Sequence, residues 1–421
     1  MNKGVKIKSI AIQNLRCYAE KQIIDFSSQD EEGVASCTII LGENGVGKTS
    51  VLKALALSLI NEEYGYQWKH HIPWDGFDRF NVTDNPSMSY QALIDGEREF
   101  SYTARVVKND LIFSNYDEKA KVEFDQKLVL FAYGAARRIG GDQGLSRKEA
   151  GFPALSIFRE DVPLANAEEW LIEADNLSLR DEQYKQYRDL VFAAIRQVTQ
   201  HEVKDIHINI HKRRTVVLFE TDYGLVPMHE LSLGYKTLLA WTIDFAKGLI
   251  ERYPDSTHPL AEPAVCLIDE VDLHLHPKLQ RDVLDFLQNT FTNTQFIMTA
   301  HSPLIVQSAR NGNVVLLKKE GDHVVAVNDL DNIRNWRVDQ LLTSDLFGLS
   351  SGRPKEVEAK MKQRHDLLSK KEFSEEDREQ VEALEREMGE IPDWEDMEEK
   401  RAFDAIDMIA DILKNKNDQD Q

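Results

Sequence analysis

Cysteine is scarce in this chain of 421 residues. Its three thiols, Cys17, Cys37 and Cys266, have neither metal-ligand spacing nor the density of a disulfide framework. Scattered thiols of this kind suit a reducing compartment. No segment supplies the ~18 consecutive apolar residues that a membrane-spanning helix needs. The start, Met1-Asn2-Lys3-Gly4-Val5-Lys6, passes directly into alternating sequence, without the apolar core or cleavage site of a secretory signal. A cytoplasmic protein with no membrane association is therefore expected. Positive charge is also short: 51 Lys and Arg stand against 72 Asp and Glu, a formal net charge of −21. Duplex binding needs clustered cations that displace counterions, so any DNA contact must be confined to a local groove or shared with a partner. Internal repeats and low-complexity linkers are absent.

The apolar content, 42% of residues, is ample for a large core and too high for a disordered chain. Residues 6–12 alternate as a strand does. Cys37 to Leu41 is a short apolar run that predicts a buried strand, and Val51 to Ile60 predicts a helix. Alternating stretches over 88–115, broken at Asp95-Gly96 and Asn109-Asp110, predict an antiparallel sheet. Lys127 to Tyr133 is expected as a further strand. From about 140 to 205 the pattern becomes helical, with Ala165 to Leu177 and Asp181 to Val198 as the main segments. Strands return at 206–228, and a helix runs from near Ser232 to about Glu251. Ala264 to Ile268 and Phe296 to Ala300 are expected as buried strands around a helix at about 278–290. Asn313 to Val327 is expected as a hairpin turning at Glu320-Gly321-Asp322. Beyond about 350 the chain is helical and acidic, by about nine charges, with breaks at Ser374 and Ile391-Pro392.

Four segments carry chemistry. Gly42-Glu43-Asn44-Gly45-Val46-Gly47-Lys48-Thr49, followed by Ser50, meets the pattern of a phosphate-binding loop. It lies between a strand and a helix, where backbone N–H groups and a positive helix terminus can cradle phosphates. Lys48 is the candidate ligand of the β- and γ-phosphates, and Thr49 of Mg²⁺. Ala264-Val265-Cys266-Leu267-Ile268-Asp269-Glu270 delivers two carboxylates to a strand end. Asp269 is the candidate metal-side carboxylate and Glu270 the candidate general base for an attacking water. In Glu230-Leu231-Ser232-Leu233-Gly234-Tyr235-Lys236, a hydroxyl, a glycine and free N–H groups open a helix in a way that suits an anion. It resembles the signature of ABC ATPases, with Leu233 in place of a glycine and Tyr235 in place of glutamine. The fourth segment, Val271-Asp272-Leu273-His274-Leu275-His276-Pro277 with Thr299-Ala300-His301-Ser302-Pro303, resembles the dimer-interface loop and switch histidine of such heads. Asp272 and His301 are the residues it singles out. His274 and His276 are taken as part of that run rather than as a metal site.

In this order the motifs resemble SMC-like and RecF-like ABC ATPases over about residues 5–345. The resemblance implies an α/β fold: a two-lobed P-loop head with a helical insertion and a C-terminal helical tail. The corresponding divisions are 1–139, 140–205, 206–349 and 350–421. It also implies ATP and Mg²⁺ as ligands, Arg16 beside the nucleotide, and ATP sandwiched between two copies of the chain. The glutamine of the ABC Q-loop has no counterpart in the motifs; Tyr133-Gly134 through Arg137 occupies the region where it would lie. Leu130-Phe131-Ala132-Tyr133-Gly134-Ala135-Ala136-Arg137, Trp336-Arg337-Val338-Asp339-Gln340-Leu341-Leu342-Thr343-Ser344-Asp345-Leu346-Phe347-Gly348 and the acidic tail narrow the resemblance. They look like the PtuA ATPases of Septu anti-phage systems, which implies a homo-oligomer and an HNH nuclease partner of the PtuB kind. Asp329-Leu330-Asp331 sits in a short connection, and no strand–helix alternation follows it, so no nuclease is expected within the chain. The alternative is a RecF-like repair ATPase that binds DNA directly, for which Arg137-Arg138 and His211-Lys212-Arg213-Arg214 are the only basic hints.

Overall fold

A strand covered on both faces must be apolar at nearly every position, and Cys37 to Leu41 meets that requirement. In the computed structural model it is the centre of the molecule. The structure describes residues 3–28, 33–59, 72–73, 85–107, 110–137, 153–199, 202–211, 214–309, 312–328, 330, 336–344, 346–349, 353–370 and 373–388. Arg138, Lys212, Arg213, Asp329, Asp331, Asp345 and the expected break at Ile391-Pro392 lie outside the described residues, as does the start of the expected insertion. The chain divides into two compact units, Met1–Gly348 and Leu349–Gln421. Among the described residues no helix is long and apolar enough to cross a membrane.

The first unit begins with β1 (Val5–Gln13), β2 (Gln22–Asp25), β3 (Cys37–Gly42) and α1 (Lys48–Ser58). Next come β4 (Ser87–Ile94), β5 (Arg98–Val106), β6 (Leu111–Ser114), α2 (Glu118–Lys127) and β7 (Leu130–Tyr133). Helices α3 (Ala167–Ser178) and α4 (Glu182–Val198) precede β8 (Asp205–His211), β9 (Arg214–Thr221) and β10 (Gly224–Pro227). Then follow α5 (Leu233–Arg252), β11 (Ala264–Ile268), α6 (Pro277–Thr290), β12 (Thr294–Thr299) and α7 (Pro303–Ser308). The hairpin of β13 (Asn313–Glu320) and β14 (His323–Val327), then α8 (Val338–Thr343), end the series.

Three sheets result, in the orders β2-β1-β4-β5-β6, β10-β9-β8 and β14-β13-β3-β12-β11-β7. In the last, β13, β3, β12, β11 and β7 are mutually parallel. Alternate side chains of its strands enter two separate cores. Ile39, Phe131, Cys266 and Phe296 join a core built with α3 to α7. Ile40, Ala132, Leu267 and Ile297 join one built with α1 and the antiparallel sheet. The period-two alternation of a strand thus divides one sheet between two hydrophobic layers. The two sheets are also tied by a buried amide: Gln295 on β12 accepts from Ile7 N and donates to Ile7 O, both at 2.7 Å, beside a register shift in β1. The central sheet takes β3 and β7 from one stretch of chain and β11 to β14 from another, so the 140–205 segment interrupts the sequence of the sheet and not the sheet itself.

One element differs from its sequence reading. Lys127 does not begin a strand; it ends α2, which Asp117 caps by accepting from Ala120 N at 2.8 Å. The charged stretch 118–127 lacks strand alternation, and an N-cap aspartate before it favours a helix. The strand starts at Leu130. In the second unit α9 (Lys355–Leu368) and α10 (Glu375–Met388) share a small core of Leu367, Val381 and Leu384, crossed by the ion pair Arg364–Glu385 at 2.9 Å.

Trp241 on α5 is among the largest fully buried side chains, at 1% exposure. Trp241→Ala should lower the unfolding free energy of the first unit by about 3–5 kcal/mol. Denaturant unfolding followed by circular dichroism would measure it, and a loss under ~1 kcal/mol would contradict the packing described.

Candidate active site

Parallel strands present their carboxyl ends at one edge of a sheet, where loops gather ligands. Here β3, β7, β11 and β12 bring four loops to that edge. The loop after β3 is the glycine-rich one. Gly47 is the N-cap of α1 at φ 84°, and a Cβ there would lie 2.5 Å from Cys17 Sγ. Only glycine fits that backbone and that space. Glu43, Asn44 and Gly45 are exposed, while Val46, Lys48 and Ser50 are buried. Tyr18 Oη donates to Gly47 O at 3.1 Å and so fixes the end of the loop.

Lys48 Nζ donates to Gly42 O at 2.6 Å and Glu43 O at 3.0 Å. Burial pushes its ammonium pKa down, while Glu270, Asp269 and Asp272 pull it back up. Thr49 Oγ1 donates to Asp269 Oδ2 at 2.8 Å, and Thr299 Oγ1 to Asp269 Oδ1 at 2.7 Å. Thr299 in turn accepts from Glu270 N at 2.7 Å. Glu270 has φ 50°, and its carboxylate lies 3.9 Å from His301 Nε2. Asp272 Oδ2 accepts from His301 N at 2.9 Å. Lys48, Thr49, Asp269, Glu270, Asp272 and His301 are thus brought to one place. Arg16 (φ 48°) reaches the same loop, donating from Nη1 to Ser50 Oγ at 3.3 Å.

The Ser232 segment is built differently. Ser232 is exposed and caps α5, accepting from Tyr235 N at 3.5 Å. A Cβ on Gly234 would lie 2.4 Å from His274 O, so the helix start packs directly on the turn that follows Asp272. Leu233 points outward at 54% exposure, and Lys236 is half-buried. His276 caps α6 through Nδ1, which accepts from Lys278 N at 3.3 Å.

Two residues of the site escaped the sequence reading. Thr299 sits inside a quoted motif but was assigned no part. Arg137, taken there as a hint of a basic DNA-binding patch, is 4% exposed and points inward, so it cannot contribute to a surface groove. Its guanidinium donates to Asp269 O and to Glu270 O, the latter at 2.6 Å. Arg214, from the other basic run, is exposed on β9.

The donor set fits the expected ligands. A hydroxyl and a buried carboxylate oxygen in contact, Thr49 and Asp269, are the hard oxygen donors that Mg²⁺ takes. A half-desolvated ammonium at a loop of backbone amides suits a polyphosphate.

A family model described as "AAA domain, putative AbiEii toxin, Type IV TA system" matches residues 37–307. The chain is 26% identical over 417 residues to a Septu protein PtuA of Bacillus mycoides (strain KBAB4), covering 97% of this chain and 54% of that protein. It is 34% identical over 149 residues to a retron Ec83 probable ATPase of Escherichia coli, covering 35% of this chain and 27% of that one. With a retron Vc95 probable ATPase of Vibrio cholerae the identity is 21% over 397 residues, with coverages of 76% and 74%. The chain therefore spans about half the length of the PtuA relative. Among solved structures, an SMC head bound to the C-terminal winged-helix domain of ScpA aligns at TM-score 0.46 and 15% identity, over 77% of this chain and 98% of that one. The recombination mediator protein RecF of the RecFOR pathway aligns at TM-score 0.45 and 14% identity, with coverages of 77% and 99%. The motif resemblance to PtuA-type ATPases is thus matched along nearly the whole chain.

Proposed function

Because the chain belongs to the AAA-domain family whose model spans residues 37–307, we propose that it is the ATPase subunit of a bacterial anti-phage defence complex of Septu type. On this reading it binds and hydrolyses ATP between two copies of itself and thereby controls an HNH nuclease partner. The observation that carries it is the convergence of Lys48, Thr49, Asp269, Glu270 and His301 at the carboxyl edge of one parallel sheet. Lys48 and the loop amides bind the phosphates. Thr49 and Asp269 hold Mg²⁺, which when bound neutralises charge on the phosphate oxygens. Glu270 takes the proton of the attacking water, and His301 faces the same point. Ser232, exposed at the helix start, and the N-terminal end of the helix that the buried Gly234 seats on the turn after Asp272 serve the nucleotide of the opposite subunit. DNA then meets the assembly through the nuclease, in keeping with the net charge of −21.

The test separates a composite site from a site within one chain. Lys48→Ala and Ser232→Arg chains should each be inactive in phosphate release. Mixed in equal amounts, they should regain about a quarter of the wild-type rate. Half the dimers are then mixed, and each mixed dimer keeps one whole site of two. No gain on mixing would refute the sandwich, and no hydrolysis by the wild type would refute the ATPase reading. A nuclease that copurifies with the chain from its native cells supports the partner; copurification of none removes it.

A further inference from the structure

The Asp269–Asp272 turn carries three carboxylates that act on Lys48, and its backbone at Asp269 and Glu270 is held from beneath by a second cation. We propose that Arg137 is a positioning residue for ATP hydrolysis, which clasps the carbonyls of Asp269 and Glu270 and so sets where the Glu270 carboxylate points. The inference rests on the ATPase reading and goes beyond it, because the stretch that ends at Arg137 was given no part in the chemistry of the site.

Three observations converge on it. The first is the contact itself: one guanidinium nitrogen serves two successive carbonyls, which fixes the peptide between Asp269 and Glu270 in orientation. The second is backbone conformation. Glu270 and Arg137 both have positive φ, 50° and 32°, a region that side-chain-bearing residues occupy only when surroundings hold them there. The clasp supplies that hold at Glu270, and rotating the turn back to an ordinary φ would break it. The third is charge. Arg137 is 4% exposed, with the carboxylates of Asp269, Asp272 and Glu270 as its electrostatic neighbours. A buried guanidinium with so few hydrogen bonds is costly unless its charge is used. Its Nε has no hydrogen-bond partner among the described residues.

The fold delivers Arg137 to this position deliberately in the chemical sense. Tyr133 O, at the end of β7, accepts from Asp269 N at 2.9 Å, so the two strand ends are in register. The chain then turns at Gly134, where a Cβ would strike Ser156 O at 2.4 Å, and returns Arg137 under the Asp269–Glu270 peptide. The same Tyr133 donates through Oη to Asp244 of α5 at 2.9 Å, so the helix that begins at Ser232 shares the strand that anchors the arginine. Arg137 touches the carbonyls and not the reacting atoms, so it acts through Glu270.

The experiment compares full-length wild type, Arg137→Ala, Arg137→Lys, Glu270→Gln and the Arg137→Ala/Glu270→Gln double variant. Phosphate release, affinity for a fluorescent ATP analogue and melting temperature are measured for each. Arg137→Ala is expected to lose at least tenfold in kcat while ATP affinity stays within about threefold, and Arg137→Lys to recover part of the loss. In the Glu270→Gln background, removing Arg137 should add less than about twofold, because the group it positions is already disabled. A fully additive loss in the double variant, unchanged kcat in Arg137→Ala, or a loss shared equally by ATP affinity would overturn the proposal. Should Arg137→Ala fail to fold, the Lys variant carries the same comparison: it retains the charge but not the rigid planar guanidinium or its reach, and wild-type kcat there would overturn the proposal. A wild-type protein that releases no phosphate ends the ATPase reading and this inference together; an active wild type with an equally active Arg137→Ala ends this inference alone.

Discussion

Glu270→Gln is expected to slow ATP hydrolysis by about 10²–10⁴-fold while leaving ATP affinity within about threefold. The substitution keeps size and hydrogen-bonding capacity and removes only basicity. Glu270 stands where a base is needed. Its carboxylate is one-third exposed, so water reaches it, and lies 3.9 Å from His301 Nε2. Its amide is fixed by Thr299 and its carbonyl by Arg137. Asp269, one residue earlier, is spent differently: both its oxygens accept threonine hydroxyls within 2.8 Å. Two adjacent carboxylates therefore have separate surroundings, one enclosed and saturated, the other open. Phosphate release under saturating MgATP measures the rate, and a fluorescent nucleotide measures binding. Normal turnover in the variant would exclude Glu270 as the base.

Lys48→Ala should abolish measurable ATP binding, a loss of roughly 2–3 kcal/mol or more for one charge-assisted contact in a partly buried site. The ammonium is desolvated by the protein, which depresses its pKa, while Glu270, Asp269 and Asp272 draw it back up. The alanine chain removes the only ammonium held at the carbonyls of Gly42 and Glu43 among the described residues. Thermal unfolding with and without MgATP gives a clean reading. Ligand at 100 times its Kd stabilises a protein by about 2.7 kcal/mol, so the wild type should melt several degrees higher with MgATP and the variant should not shift. An equal shift in both would show that the loop does not bind the phosphates.

Much of this was legible in the residues. The apolar runs at Cys37, Ala264 and Phe296 announce strands because a doubly covered strand leaves no polar position. Gly47 and Lys48 announce their loop because a left-handed N-cap and a phosphate-facing amine tolerate few substitutes. Arg137 was illegible for the opposite reason. Beside Arg138 it has the pattern of a surface pair, and only the partner strand, more than a hundred residues away, reveals that it turns inward. Thr299 was hidden similarly: a threonine at a strand end is ordinary until Asp269 is seen against it. The helix at 118–127 was missed because its charged residues mask Phe124, its one buried apolar side chain. The tie between Gln295 and Ile7 has no local signal at all, since a buried amide that imitates a peptide group can pair with any backbone.

The order of strands also has a consequence for synthesis. β3 carries the phosphate loop, yet its neighbours are β12 and β13, with Thr38 opposite Ile297 on one side and Asn313 on the other. A nascent chain that has emerged only as far as α6 holds β3 with neither partner, two open edges in a segment made to be covered. Contacts so distant in sequence close late. The loop that grips nucleotide is thus written early in the chain, while the strands that flank its own strand are written near the end of unit one.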